Sequence, residues 1–222
     1  MKILLFGATG MIGQGVLREA LADDEVREVL AVGRSATGRS HEKLRELLHR
    51  DFEDFSAIED RLAGYDACLF CLGVSSGGMR ADEYERITYG YTLAVAETLA
   101  RIAPTMTFAY VSGAGTDGSE RGRTRWARVK GKTENALLRL PFRTAYMFRP
   151  GLIVPRHGIV SRTPAYRLLY AVLSPLHPLL ARLAPQQLLT TESLGRAMLA
   201  AAKHGAPKRV LEAPDINRLA AG

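Results

Sequence analysis

Apolar runs of strand length alternate along the chain with longer stretches of helical period. The runs at 2–6, 29–32, 47–52, 67–72, 106–112 and 144–148 each hold four to seven residues rich in Val, Ile, Leu, Phe and Tyr. Between them, 13–22 carries Val16, Leu17, Ala20 and Leu21 at helical spacing, and 82–101 carries Tyr84, Ile87, Tyr91, Leu93, Val95 and Leu99. Near-continuous apolar strands separated by amphipathic helices predict βαβ units and a parallel sheet covered on both faces. The predicted class is therefore α/β, a doubly wound parallel sheet of Rossmann type. One domain over 1–222 is expected, because 222 residues are too few for two ordinary α/β domains.

After Pro150 the rhythm changes. Pro155, Pro164, Pro175, Pro178 and Pro185 interrupt an apolar stretch from Tyr166 to Leu189 that also holds Arg167, His177 and Arg182. Such breaks argue against a transmembrane helix, which needs about 20 apolar residues in succession. The stretch reads as a substrate-covering elaboration, with a membrane-surface or partner-binding patch as the alternative. Thr190-Thr191-Glu192-Ser193 then supplies a helix start and 194–202 a short amphipathic helix.

The glycines just after the first strand add chemistry to this pattern. Gly7-Ala8-Thr9-Gly10-Met11-Ile12-Gly13 follows strand 2–6 and opens helix 13–22. Gly7 permits a tight turn, Gly10 a close approach of backbone to a pyrophosphate, and Gly13 close packing of helix on strand. The helix N-terminus then offers N–H groups to the anion. In this setting the loop predicts a dinucleotide site, with Thr9, Met11 and Ile12 beside the glycines. Where NAD binders place a carboxylate at the end of the second strand, the chain has Val32-Gly33-Arg34-Ser35. A guanidinium beside a hydroxyl suits a 2′-phosphate, so Arg34 and Ser35 favour NADP over NAD. Asp51 and Phe52, read as the end of the third strand, are candidates for the adenine side.

The totals change the picture only slightly. Thirty Lys and Arg against 23 Asp and Glu give a formal charge of +7. The basic residues are dispersed, and the densest run, Arg121 to Lys132, reads as a solvated loop leading into a helix. No nucleic-acid partner is expected. Cys68 and Cys71, three apart on a buried strand, should face opposite sides of the sheet, forming neither a disulfide nor half of a metal site. No metal is expected, and two free thiols fit a reducing compartment. The start runs straight into a strand without a signal-like segment, so the expected location is cytoplasmic.

Together these pieces resemble the short-chain dehydrogenase/reductase superfamily, in its atypical and extended, epimerase-related branch, and within it the Tat-interacting, oxidoreductase-like group. The resemblance runs through Gly7 to Gly13, Val32-Gly33-Arg34, Asp66 through Cys71-Leu72-Gly73, Val129-Lys130-Gly131-Lys132-Thr133-Glu134 and Phe148-Arg149-Pro150-Gly151. It implies that Gly73 passes near the nicotinamide-side ribose, that Lys130 bonds that ribose, and that Pro150, Gly151, Leu152 and Ile153 line the carboxamide site. It also implies a catalytic pair of Ser112 and Lys130. The family's proton-transferring Tyr, four residues before the Lys, is Trp126 here. An indole N–H donates but does not titrate in an accessible range, so Trp126 can orient an oxygen without serving as acid or base.

Three functions follow from the sequence: hydride transfer between NADPH and a small carbonyl compound, NADPH binding without turnover by a regulator with a protein partner or a second copy, and a membrane-surface accessory role.

Overall fold

The computed structural model describes residues 1–159 and 187–222. The reading of 166–189 as a substrate-side or membrane-surface segment lies outside the described residues, apart from its last three positions.

Seven parallel strands form the main sheet. β1 (Lys2–Phe6) leads through a glycine turn into α1 (Met11–Ala22), followed by β2 (Glu28–Gly33), β3 (Leu44–Leu48), the short α2 (Glu59–Leu62) and β4 (Ala67–Phe70). Then come α3 (Ala81–Glu85), a π-turn (Arg86–Gly90), α4 (Tyr91–Ile102), β5 (Thr107–Val111), α5 (Arg125–Arg139) and β6 (Thr144–Arg149). β7 (Leu152–Val154) pairs in parallel with β8 (Leu188–Thr190) as a separate two-stranded ribbon. α6 (Thr191–His204), β9 (Val210–Glu212) and α7 (Ala213–Ala221) complete the chain. The sheet order is β3-β2-β1-β4-β5-β6-β9, so the direction of winding reverses at β1 and β4.

Alternation along the buried strands divides the core in two. Ile3, Leu5, Val29, Ala31, Leu69 and Phe148 face α1, α6 and α7, whereas Leu4, Phe6, Leu30, Phe70, Phe108 and Met147 face α2, α4 and α5. Cys68 packs into the second layer and Cys71, one residue past β4, against the first, so the two thiols are free and on opposite faces.

The third strand corrects the expectation of 47–52. β3 ends at Leu48, and its middle residues Arg45 and Glu46 are exposed. As the edge strand it has one hydrogen-bonded neighbour, β2, and tolerates polar positions that hide it from a search for apolar runs. Asp51 and Phe52 lie beyond its end. Phe52 is buried edge-on to Phe6 and Phe55, while Asp51 is exposed and accepts the Glu53 N–H at 2.9 Å in an Asx turn.

The helix start at Thr190 forms as expected. Its hydroxyl accepts the Ser193 N–H at 2.9 Å and Ser193 Oγ accepts the Thr190 N–H at 2.9 Å, a capping box. Expected helix 82–101 is instead α3, the π-turn and α4 in succession.

Candidate cofactor and active site

The C-terminal ends of β2, β1, β4, β5 and β6 lie side by side, and each carries part of the predicted site. From β2 to β5 there are three inter-strand spacings, about 14 Å at about 4.8 Å each. That reach suits an extended dinucleotide crossing the switch point.

The phosphate loop is built around glycines with no room for a side chain. Gly7 has φ +80°, and a Cβ there would lie 2.6 Å from the Cys71 carbonyl carbon. A Cβ at Gly13 would lie 2.0 Å from Gly7 O, so α1 can start against the turn only with glycine at that position. Gly10 N–H donates to Gly7 O at 2.9 Å and closes the turn. Gly10 is also the N-cap of α1, with no side-chain cap, which leaves the first amides of a 12-residue helix for an anion. Thr9 O accepts Gln14 Nε2 at 3.1 Å, and Met11 and Ile12 pack half-buried on the core. A Cβ-sized exclusion and an uncapped helix start at the switch point fit a dinucleotide pyrophosphate.

Arg34 and Ser35 follow β2 directly and are exposed. Arg34 has no hydrogen-bond or ion-pair partner among the described residues, leaving its guanidinium available to a ligand. On the other side of β1, Gly73 is exposed beyond β4, and none of the described residues comes within 4 Å of where its side chain would stand.

β5 and α5 build the chemical end. Lys130 Nζ donates a short hydrogen bond to the Ser112 carbonyl oxygen, and it lies 3.9 Å from where a Cβ would stand on Gly113. Trp126, one turn earlier on α5 and half-buried, brings its ring edge within 3.6 Å of the same construction at Gly115. Lys130 and Trp126 therefore both border the glycine-containing turn that follows Ser112. Burial lowers the Lys130 ammonium to about 8, against which the nearby Glu134 carboxylate acts.

The Ser112 hydroxyl is engaged elsewhere. It donates to Glu134 Oε1 at 2.5 Å and lies 3.1 Å from the Phe148 carbonyl oxygen. Glu134, 1% exposed, is held by the Arg149 guanidinium through Nε at 3.0 Å and Nη2 at 2.5 Å, and Arg149 Nη1 reaches Glu212 at 3.2 Å. This network ties β5, α5, β6 and β9 beneath the site. Sequence reasoning assigned Glu134 and Arg149 no role. Their signal was an acid one turn beyond Lys130 and an Arg closing an otherwise buried strand.

Gly131 owes its place in Val-Lys-Gly to packing. A Cβ there would stand 1.8 Å from Asp117 O, so the loop after β5 can cross α5 only over a glycine. Arg125 Nη2 donates to Ser76 O and Met79 O at 3.3 and 3.0 Å, pinning the 75–80 loop to the start of α5. At β6, Pro150 O accepts the Ala114 N–H at 2.8 Å. Gly151 approaches Gln187 O, and Leu152 and Ile153 enter β7, with Ile153 buried.

Comparison with known proteins agrees with this geometry. A family described as NAD(P)H-binding matches residues 7–137. The chain is 29% identical over 152 residues to the protein FMP52-2, mitochondrial, of Scheffersomyces stipitis, covering 68% of this chain and 65% of that one. It is 28% identical over 155 residues to the protein HTATIP2 of Rattus norvegicus, covering 69% and 63%. The match thus spans just under two thirds of the length of these two relatives. Among solved structures, a short-chain dehydrogenase/reductase of Saccharomyces cerevisiae, YIR035C, superposes with a TM-score of 0.71 at 15% identity over 99% of this chain and 98% of that one. The Bordetella bronchiseptica enzyme WbmG, solved in complex with NAD, gives 0.69 at 13% over 96% and 72%. At these identities the structures show the shared fold alone. The family match covers the glycine loop, Arg34, Ser112 and Lys130, and with it the chain belongs to the NAD(P)H-binding family, in a fold shared with short-chain dehydrogenase/reductase structures.

Proposed function

We propose that the protein is an NADP-preferring oxidoreductase that interconverts a small carbonyl compound and its alcohol, with Trp126 standing where relatives carry the proton-transferring Tyr. One observation supports this above others: an Arg34 with no partner among the described residues, an uncapped helix start and a half-buried Lys130 follow successive strands at one sheet edge, an order that suits a phosphorylated dinucleotide. The bound cofactor would supply hydride. Gly7, Gly10 and Gly13, with the amides around Thr9, Met11 and Ile12, hold the pyrophosphate. Arg34 and Ser35 take the 2′-phosphate, Gly73 passes the nicotinamide-side ribose that Lys130 bonds, and the backbone from Pro150 through Ile153 receives the carboxamide. Asp51 remains an adenine-side candidate, while Phe52 is withdrawn into the core. Trp126 closes the substrate side with an apolar face and one N–H donor. The free thiols of Cys68 and Cys71 support a reducing compartment.

Calorimetric titration with NADPH and NADH, wild type beside Arg34→Ala, tests the cofactor claim. The expected result is tighter NADPH than NADH binding, with NADPH weakened about tenfold in the variant, the loss of one charge-assisted contact. Equal affinity for both nucleotides in wild type sinks the phosphate preference. The second reading, a regulator that binds NADPH without turnover and works through a protein partner or a second copy, is favoured by the engaged Ser112 hydroxyl and by Trp126. NADPH consumption with a panel of aldehydes and ketones separates the two.

A further inference from the structure

The reaction proposed above needs a proton at the carbonyl oxygen, and the residues that relatives would use do not offer one. Trp126 does not titrate in reach of neutral pH. Ser112 Oγ is turned to Glu134 and Phe148, and Thr116 Oγ1 donates to Gly113 O at 2.7 Å. The described tyrosines serve elsewhere: Tyr84 and Tyr110 are fully buried, Tyr65 bonds Glu28, and Tyr146 accepts the Ala206 N–H. Tyr89 stacks under Lys132, and Tyr91 lies against Phe52 and Arg86. The Cys71 thiol is pushed up by burial and holds its proton.

We propose that Lys130 itself is the proton donor, its Nζ placed by the Ser112 carbonyl beside Gly113, on the same helix face as Trp126 one turn earlier. This rests on the oxidoreductase reading above. An ammonium has three N–H donors, and the Ser112 carbonyl takes one. A Cβ at Gly113 would lie 3.9 Å from Lys130 Nζ and one at Gly115 3.6 Å from the Trp126 ring, so both side chains border the same turn after β5. The one charged group acting on Lys130 among the described residues is Glu134, one turn on along α5, and that carboxylate is already paired to Arg149. It sustains the ammonium without taking its proton.

The step balances as carbonyl plus NADPH plus H⁺ giving alcohol plus NADP⁺. A hydride adds two electrons and one hydrogen at the carbonyl carbon, the π bond breaks onto oxygen, and that oxygen takes a proton from Lys130 Nζ. The amine left behind regains a proton from water. Burial supports the assignment, since an ammonium near 8 matches proton transfer at neutral pH far better than an exposed lysine.

The test combines a direct titration with a substitution that keeps the charge but not a proton that can be released near neutral pH. Competitive acetylation of the cofactor-free protein across pH 6–11, read peptide by peptide by mass spectrometry, should give Lys130 a midpoint near 8 while exposed lysines stay above about 10. Lys130→Arg, assayed at saturating NADPH, should lose at least about 100-fold in kcat for carbonyl reduction, the usual scale of acid catalysis. Wild-type kcat for reduction should hold below pH 8 and fall about tenfold per pH unit above it. Lys130 titrating with the exposed lysines overturns the proposal, as does Lys130→Arg retaining kcat and the same pH limb, which would pass the role to a residue such as Tyr166 or Tyr170. A wild type that binds NADPH but reduces no carbonyl, even with Lys130 titrating near 8, overturns the oxidoreductase reading and removes the donor role with it.

Discussion

At the scale of single residues, Lys130 links the site to stability. Its folded-state value of about 8 lies below the ordinary 10.5, so between those values the unfolded chain binds more protons than the folded one. Stability attributable to this residue therefore rises with pH across that window, and below pH 8 the folded protein carries the full desolvation cost. Lys130→Met should consequently be more stable than wild type at pH 7, by about 1 to 2 kcal/mol after discounting for solvent screening at a half-buried site. Urea unfolding of both proteins at pH 7 and pH 10.5 checks this. A gap that is unchanged between the two pH values would mean that the ammonium is not desolvated. Lys130 was legible in the sequence because it sits in Val-Lys-Gly, whereas its surroundings were not. The inward turn of the Ser112 hydroxyl depends on Glu134, which arrives from another element, and one-dimensional spacing does not show which way a hydroxyl at a strand end rotates.

At the scale of elements, α1 and α6 carry the clearest requirement. They cross through glycine: a Cβ on Gly15 would stand 2.6 Å from Thr191 O, and one on Gly195 would stand 2.9 Å from Glu19 Cγ. Around this contact Arg196 pairs with Glu19 at 3.1 Å and with Glu192 at 2.6 Å. Gly15→Ala must push the helices apart, which should cost about 1 to 3 kcal/mol despite the better helix propensity of Ala. For a chain of this size that lowers Tm by about 3 to 10 °C. Gly90→Ala is the matched control, because its φ is −56° and, among the described residues, its new Cβ would meet only Arg86 Cγ at 3.9 Å. It should be neutral or slightly stabilising, and equal Tm losses in the two variants would discard the crossing argument. The central strands β1, β2, β4, β5 and β6 were readable because burial on both faces makes them continuously apolar. The edge strand β3, three-residue β7, β8 and β9, and the π-turn were not. Short or one-sided elements owe their form to neighbours brought from far along the chain, such as β9 lying on β6 across some 60 residues.

At the scale of the whole molecule, the excess of 30 basic over 23 acidic side chains bears on the cofactor more than on the fold. A positive field attracts any nucleotide, so affinity for NADPH alone would not show that a particular residue reads the 2′-phosphate. The distinction lies in how stability responds to each nucleotide and to salt. A ligand that binds only the folded state at 100 times its Kd adds about 2.7 kcal/mol, or about 5 to 10 °C in Tm for a chain of this length. NADPH at a fixed concentration should therefore raise Tm more than NADH. The excess should shrink in 1 M KCl, where the screening length falls to about 3 Å, because Arg34 is exposed and its contact with a phosphate would be screened. A pyrophosphate contribution from the α1 amides would rest on directional hydrogen bonds at a helix start and should persist for both nucleotides. Arg34→Ala should remove the NADPH excess at low salt and leave the shared shift in place. If the excess survives in Arg34→Ala and disappears only with salt, the general charge of the molecule, and not the end of β2, selects the nucleotide.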